Sequence, residues 1–318
     1  MFSYDKGIKL SGADFYLDAE RVVPFSFVSH GHTDHLRNHK RVLATPPTAQ
    51  FHRLRRHRSE VLTLDFNQPI EVEGYRVELL PAGHILGSAQ ILVEKDGTSL
   101  LYTGDFKLRH GSTCEAIEIR HADILIMEST YGHPDYQFAS PVELEESLDR
   151  FIRNCLRWGE VPVVLAYSLG KAQEAVKIIN RQGYPVQVHP SVAKFAAVYA
   201  DFGYDVGPYQ VWEEGAPAEG VLVVPPHVTR KPIFGGLGPY RTVLLSGWAN
   251  GGGRFRFGAD EAIPFSDHAD FSELLEFVKQ VRPKRIYTTH GFDEFPAYLR
   301  AVGFDARPLR STGQLSLF

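Results

Sequence analysis

The chain is predicted to have a mixed α/β fold, and three features of its sequence lead to this prediction. Its 318 residues suffice for one large domain or two modest ones, each with a buried core. The first part contains short apolar runs separated by turns. From about Pro141 onward, strand-like and helix-like segments alternate, which is typical of a parallel sheet covered by helices.

The apolar runs of the first part predict strands that stop at polar residues. Residues 25–30 (FSFVSH) and 75–84 (YRVELLPAGH) are two of these strands, and residues 122–130 are another. Residues 89–105 predict a hairpin that turns at Asp96-Gly97, because this dipeptide favours a tight turn. Functional side chains are commonly placed on loops at strand ends, where a rigid sheet holds them. The polar residues at these ends are His30, His84, Asp105 and Glu128.

The second part predicts helices and strands in alternation. Residues 140–159 have helical spacing, with a Ser-Pro start and a glycine stop. Residues 170–183 and 191–203 predict two more helices, and strands lie between these segments. Glycine-rich residues 249–258 predict a linker. Strand ends that bear histidines return after it, as in KRIYTTHG at residues 284–291.

Composition and charge narrow the class of protein. The chain has only Cys114 and Cys155, so no disulfide framework is indicated. No apolar run approaches the ~18–20 residues that span a bilayer, and the N-terminus lacks the layout of a signal peptide. A cytoplasmic protein without a membrane partner is therefore expected. The net charge of −4 does not by itself indicate a nucleic-acid binder, and the basic clusters at residues 37–41 and 52–58 are more typical of solvated faces.

The densest functional signal is SHGHTDHL at residues 29–36. Imidazole nitrogens and carboxylate oxygens are ligands for zinc and related divalent ions. Because alternate residues of a strand share a face, His30 and His32 are expected to reach one ion together. After a turn, Asp34 and His35 are expected to reach a second ion. The alternative is a chance group of histidines on a solvated turn.

Two ions need more ligands than this segment supplies, and other strand ends offer them. A carboxylate such as Asp105 can bridge two ions ~3.5–4 Å apart. Taken singly, a histidine at a strand end is as often a buried residue with satisfied hydrogen bonds as a ligand. The further candidates are His84, Asp105 and His290.

Successive segments resemble the motifs of the metallo-β-lactamase superfamily, namely SHGHTDHL, PAGHILGS, LYTGDF and YTTHG. LIMESTYG, LAYSLGKAQE and PFSDHAD resemble motifs of its β-CASP nuclease branch. Over nearly the whole chain the sequence is similar to bacterial exonucleases that accompany an ATP-dependent DNA ligase. The resemblance implies an αββα sandwich at residues 1–138 and 259–318, with a smaller α/β β-CASP cap domain inserted at residues 139–258.

The resemblance also implies roles for individual residues and two divalent ions as cofactors, with zinc favoured and manganese as the alternative. One ion would be held by His30, His32, His84 and Asp105, and the other by Asp34, His35, Asp105 and His290. Asp18 would steady a ligand histidine from behind. His268 would act as the general acid with Glu128 orienting it, and Asp34 would orient the attacking water.

Contacts to the substrate are predicted at two further places. Ser168, Gly170 and Lys171 lie at a strand-to-helix turn, where backbone N–H groups and a lysine suit phosphate. The alternative is a plain helix start. Tyr131 is predicted either to stack on a base or to pack in the core.

The chain ends in QLSLF, within residues 311–318. This ending resembles the peptide by which bacterial replication and repair proteins bind the β sliding clamp. Apolar anchors on a free terminus suit such binding; the alternative is a terminal strand packed on its own domain. The predicted contact residues are Gln314, Leu315, Leu317 and Phe318.

The resulting functional prediction is a metal-dependent DNA exonuclease in bacterial DNA repair, working beside a ligase. An RNA-processing β-CASP ribonuclease is the first alternative, because a histidine at the position of His290 goes with RNA enzymes of the branch. A non-catalytic scaffold that binds DNA ends or the clamp is the alternative of another class, and the intact ligand set argues against it. The motifs of the cap domain argue against a small-molecule hydrolase.

Overall fold

A computed structural model describes residues 1–55, 58–230, 232–251 and 258–310. These residues form three β-sheets with helices, so the predicted α/β class is confirmed. The chain divides into two compact units. The first comprises Met1–His110, Cys114–Asp135 and the described residues from His268 on; the second comprises Gly111–Thr113 and Tyr136–Asp267.

The first sheet of the first unit contains six strands in chain order. The first three strands run antiparallel and the later ones pair in parallel. Helix α1 (Pro46–Leu54) follows the fifth strand and begins at Thr45, whose side chain accepts a hydrogen bond from the Thr48 N–H. The strands are β1 (Phe2–Tyr4), β2 (Ile8–Leu10), β3 (Phe15–Leu17), β4 (Phe25–Phe27), β5 (Arg41–Ala44) and β6 (Glu60–Thr63).

The second sheet of this unit contains seven strands, which are β7 (Ile70–Val72), β8 (Tyr75–Pro81), β9 (Ala89–Lys95), β10 (Thr98–Tyr102), β11 (Ile124–Ser129), β18 (Arg285–Gly291) and β19 (Ala306–Pro308). Their order across the sheet is β19-β18-β11-β10-β9-β8-β7. The predicted β9–β10 hairpin is confirmed: Asp96 and Gly97 have φ angles of 50° and 72°. Positive φ at both central positions matches the twist of the paired strands.

Apolar side chains fill both faces of the second sheet. One core lies between the two sheets and joins residues such as Phe15 and Phe27 to Leu79 and Ile91. On the other face, helices α5 (Phe271–Val281) and α6 (Phe295–Ala301) contribute residues such as Phe277 to a second core. Each fully buried side chain of this size contributes about 1.5–3 kcal/mol. This layering fixes the strand ends that carry the site residues.

The sheet of the second unit is parallel throughout, in the order β14-β13-β15-β12-β16-β17. Its strands are β12 (Val161–Leu165), β13 (Val186–Val188), β14 (Gln210–Val211), β15 (Val221–Val224), β16 (Tyr240–Leu245) and β17 (Glu261–Ile263), and its helices are α2 (Pro141–Arg157), α3 (Lys171–Arg181) and α4 (Pro190–Asp201). A capping box between Ser140 and Glu143 fixes the start of α2. The predicted alternation of strands and helices is confirmed.

The boundaries of the two compact units differ from the predicted domain boundaries. The predicted second boundary, at 258/259, lies nine residues before the end of the second unit at Asp267. The reason is that β17 pairs with β16 and so belongs to the same sheet. The predicted linker falls partly outside the described residues, at 252–257, as does the C-terminal tail at 311–318. Within the described parts of the chain, no helix is long and apolar enough to cross a membrane.

Candidate metal centre

The histidine-rich segment lies in the loop that follows β4. The strand was predicted to extend to His30, but it ends at Phe27. Gly31 allows the loop to pass close to α1: a Cβ at this position would lie 2.8 Å from the Phe51 side chain. His30 and His32 do meet, with Nε2 of His30 3.1 Å from Nδ1 of His32. A tight loop on a packed helix, and not the alternation of a strand, brings these imidazoles together.

Four side chains from three loops, which follow β4, β8 and β10, converge on one point. The potential ligand atoms of His30, His32, His84 and Asp105 all lie within 4.8 Å of one another. Nε2 of His84 is 3.0 Å from Nδ1 of His32, and Oδ2 of Asp105 is 3.5 Å from Nε2 of His30. Three ring nitrogens that face one another in this way present lone pairs to a shared space. A divalent cation fits this donor set of three nitrogens and one oxygen.

The protonation states suit metal binding. Burial holds the pKa of His30 well below its usual range, so this imidazole is neutral. Burial alone would raise the pKa of Asp105, but the neighbouring imidazoles, His35 above all, hold it well below its usual range. A neutral imidazole and an ionised carboxylate are the forms of these two groups that bind a metal.

The predicted second set of ligands is more open. Oδ2 of Asp105 lies 3.5 Å from Nε2 of His35, the same distance as from His30, so Asp105 stands between the two groups. Oδ2 of Asp34 is 3.8 Å from Nε2 of His35, and the ring of His290 lies 5.9 Å from that of His35. A small cavity of about 40 Å³ is lined by residues that include Asp34, His35 and His290. This volume accommodates an ion and water.

Asp18 contacts Nδ1 of His35, whereas Nε2 of the same ring faces Asp105. Oδ2 of Asp18 is 2.8 Å from Nδ1 of His35 and accepts hydrogen bonds from the Tyr102 and Ser29 hydroxyls; Oδ1 accepts the Ser29 N–H. Burial opposes the charged form of His35, but Asp105 and Asp18 hold its pKa well above its usual range. Binding an ion at His35 must therefore displace a proton.

A histidine–carboxylate pair lies beside Asp105. Nδ1 of His268 is 2.8 Å from Oε1 of Glu128, and Glu128 is 1% exposed. The carboxylate of Glu128 also accepts the N–H groups of Phe106 and Thr130, which fix its orientation. Potential ligand atoms of Asp105, Glu128 and His268 lie within 4.8 Å of one another. The structure thus brings together the predicted acid and its orienting carboxylate at the predicted metal centre.

Comparisons with known proteins identify the family of the chain. Residues 260–303 match the family model described as "Zn-dependent metallo-hydrolase RNA specificity domain". The chain is 37% identical over 319 aligned residues to the "Probable DNA ligase" of Opitutus terrae, covering 99% of this chain and 31% of that protein.

Two other similar proteins are named as ribonucleases. The chain is 27% identical over 302 residues to the "Probable RNase MJ4" of Methanocaldococcus jannaschii, covering 77% of this chain and 69% of that protein. It is 32% identical over 145 residues to the "Endoribonuclease YSH1" of Yarrowia lipolytica, covering 45% and 17%. The chain belongs to the metallo-β-lactamase superfamily, in its β-CASP nuclease branch.

Membership of this superfamily confirms the predicted metallo-β-lactamase fold, and a Zn-dependent family implies divalent metal ions. The chain spans about a third of the Opitutus terrae protein and about a sixth of the Yarrowia lipolytica protein.

The metallo-β-lactamase site also contains residues that sequence reasoning missed. The Ser29 hydroxyl lies 2.9 Å from Nδ1 of His30 and donates a hydrogen bond to Asp18. The hydroxyl of Tyr102, at the end of β10, also donates to Asp18. Ser29 adjoins the histidine-rich segment, so its position was a usable signal. Nothing local in the sequence marks Tyr102, which is 84 residues away from Asp18 in the chain.

Arg109 was also missed, and it joins two loops of the site. Its side chain contacts the carboxylates of Asp270 and Glu273, the two residues of the capping box that begins α5. Asp270 and Glu273 are mostly buried, so a cation beside them offsets the cost of burying their charge. Since Asp270 follows His268 by two residues, Arg109 ties the loop after Asp105 to the segment that carries His268.

The β-CASP residues predicted to contact phosphate have protein partners instead. Lys171 is 6% exposed and its ammonium contacts the Asp267 carboxylate. The Gly170 N–H donates to Oε1 of Gln173 at 2.8 Å. The Ser168 hydroxyl lies 3.0 Å from that of Ser191. Phosphate binding by these three residues stays a prediction, and their internal contacts do not favour it.

Tyr131 is 3% exposed and stands edge-on to His268, with ring centroids 5.9 Å apart. This burial favours the packing role over base stacking.

Proposed function

We propose that this protein is a dinuclear metal-dependent nuclease, and specifically a DNA exonuclease of bacterial DNA repair. The observation that carries the proposal is the position of Asp105. Its carboxylate lies between His30 and His35 and also borders the His268–Glu128 pair. Asp105 therefore belongs to the candidate ligand sets of both ions and also lies beside the candidate proton donor, His268.

The residues that would hold the first ion are His30, His32, His84 and Asp105, and those that would hold the second are Asp34, His35, Asp105 and His290. Bound divalent ions would supply charge stabilisation at the phosphate and lower the pKa of water. Zinc is favoured by the donor set, and manganese accepts the same ligands.

The chain's own groups supply the remaining chemistry. His268, held at Nδ1 by Glu128, presents its other ring nitrogen as the proton donor to the leaving oxygen. General acid catalysis of this kind contributes about 10²- to 10⁴-fold. The side chain of Asp34 is 79% exposed and its Oδ2 lies 3.8 Å from Nε2 of His35, which suits a role in orienting the attacking water.

Support for DNA as the substrate comes from similarity over 99% of the chain to a protein named as a DNA ligase. Ribonuclease activity is the second candidate. The match of residues 260–303 to an RNA specificity domain favours it, as do the relatives named as ribonucleases. A non-catalytic scaffold would not need the buried ligand group of three imidazoles and a carboxylate.

The deciding experiment compares matched single-stranded DNA and RNA, labelled at either end, with zinc and manganese supplied separately. Asp105→Ala serves as the inactive control. Metal-dependent shortening of DNA from one end, absent in the variant, is the expected result. Cleavage of RNA alone would assign the protein to RNA processing. Cleavage of neither nucleic acid would favour the non-catalytic scaffold.

We further propose that the protein is recruited by the β sliding clamp and works beside an ATP-dependent DNA ligase. The clamp proposal rests on the sequence of Gln314, Leu315, Leu317 and Phe318, which lie outside the described residues. Deletion of residues 314–318 is expected to abolish clamp binding and to spare hydrolysis of naked DNA. Unchanged clamp binding after the deletion would refute the proposal.

A further inference from the structure

Two aromatic residues, Tyr167 and Trp248, follow strands that end at the same edge of the parallel sheet in the second unit. In a parallel sheet all carboxyl-terminal strand ends meet at one edge, and ligands of α/β proteins bind there. Leu165 of β12 pairs with Leu244 of β16, so these two strands end side by side. Tyr167 follows the end of β12, and Trp248 follows the end of β16.

Both aromatic rings are exposed and both are held in place by neighbours. Tyr167 is 47% exposed and Trp248 is 41% exposed. The ammonium of Lys171 lies 5.3 Å from the centre of the Tyr167 ring. The ring of Tyr136 stands edge-on to Trp248, with centroids 5.2 Å apart. Rings that are braced on one side and open on another can stack on a flat ligand with little loss of side-chain entropy.

Charge along this edge favours an anionic ligand near the middle of the sheet. His227 and Arg230 are exposed in the turn Pro226–Arg230, which follows β15, the other neighbour of β12. The acidic residues Glu213 and Glu214 follow β14, three strands away from β12. Asp267, which follows β17 at this edge, is buried and pairs with Lys171. Among the described residues of the turns after β12, β15 and β16, the exposed charged side chain is therefore the cation Arg230.

We propose that this edge binds a single-stranded polynucleotide by stacking its bases on Tyr167 and Trp248, with Arg230 contacting the backbone. Stacking platforms beside cationic groups are how proteins hold single strands without sequence preference, because every base has a π face. The inference rests on the proposed nuclease function. It adds two stacking residues to the sheet edge at which Ser168, Gly170 and Lys171 were predicted to contact phosphate.

The test measures the affinity for labelled single-stranded DNA and RNA by fluorescence anisotropy. A His268→Ala background keeps the metal ligands while slowing cleavage. A stacked base contributes about 1–3 kcal/mol, so Tyr167→Ala and Trp248→Ala are each expected to weaken binding roughly 5- to 150-fold. Tyr167→Phe and Trp248→Phe keep an aromatic face and are expected to restore most of the affinity.

The matched control is Trp158→Ala. Trp158 is 74% exposed, more than Trp248, but it precedes β12 and so lies at the opposite edge of the same sheet. Its replacement is expected to leave the affinity unchanged. An equal loss from Trp158→Ala, or wild-type affinity in both Tyr167→Ala and Trp248→Ala, would overturn the inference.

An abasic oligonucleotide separates stacking from charge. It keeps the phosphates and lacks bases, so the alanine variants should bind it as tightly as the parent does, whereas they bind the normal strand less tightly. Equal losses on both strands would show that stacking is not the cause. If the parent cleaves polynucleotides but the aromatic variants lose nothing, only this inference fails. If the parent neither binds nor cleaves, the proposed function fails with it.

Discussion

Replacement of Asp18 by asparagine tests whether the supporting carboxylate controls the second metal position. Asp18 has a φ of 42°, a left-handed conformation that asparagine tolerates better than most residues. The change is therefore close to neutral for the backbone. It replaces one acceptor oxygen by an N–H₂ donor at the point where three donors converge.

The magnitude follows from those three contacts. The Ser29 and Tyr102 hydroxyls, at 2.6 and 2.9 Å from Oδ2, can rotate and accept. His35, at 2.8 Å, cannot accept at Nδ1 when Nε2, the nitrogen that faces Asp105, binds an ion, because the ring proton then stays on Nδ1. Losing one hydrogen bond to a charged group costs about 1.5–3 kcal/mol. The second ion should therefore bind about 10- to 150-fold more weakly.

The assay is a competition titration with a chromophoric chelator, which reports the affinity of each ion. The first ion is expected to lose less affinity than the second, since Asp18 contacts His35 directly but reaches His30 through the Ser29 hydroxyl. Tyr102→Phe is the matched control, because it removes one donor and leaves the carboxylate facing His35. Two ions bound with parental affinity by Asp18→Asn would refute the reasoning.

Three further outcomes are expected. Arg109→Met should lower kcat with little change in KM or metal content, and should have no further effect on kcat in His268→Ala if it acts by positioning His268; additive losses in this double-mutant cycle would contradict that role. Gly31→Ala should lower the metal content and the Tm, with overpacking against Phe51 costing about 1–3 kcal/mol, whereas Gly235→Ala, which meets only one backbone oxygen at 4.0 Å, should not. A hydrogen bond from Lys284 lowers the pKa of Asp123 from 3.8 to about 2, so this group stabilises the folded state above pH 3.8 and the contribution is lost as the pH falls through about 2. Asp123→Asn should therefore lower the free energy of unfolding by about 1 kcal/mol at neutral pH, since Lys284 is 79% exposed and the pair is screened; a difference in denaturant titrations that persists unchanged at pH 2 would contradict this.

Short-range features of the sequence determined several parts of the molecule by themselves. The Asp96-Gly97 turn, the Ser140 capping box and the alternation of strands and helices after Pro141 each depend on residues a few positions apart. The grouping of His30 and His32 is equally local, although a loop and not a strand produces it. Turn chemistry, capping and hydrophobic period act within one or two turns of chain, so a sequence displays them directly.

Only the tertiary structure decided which of the candidate residues meet. Asp105 stands between two imidazole groups, and Glu128 reaches His268 across 140 positions of the chain. Lys171 turned out to be buried against Asp267, whereas Tyr167 and Trp248 are exposed at one sheet edge. These outcomes depend on strand order and pairing register, which arise from packing between distant segments and leave no local pattern in the sequence.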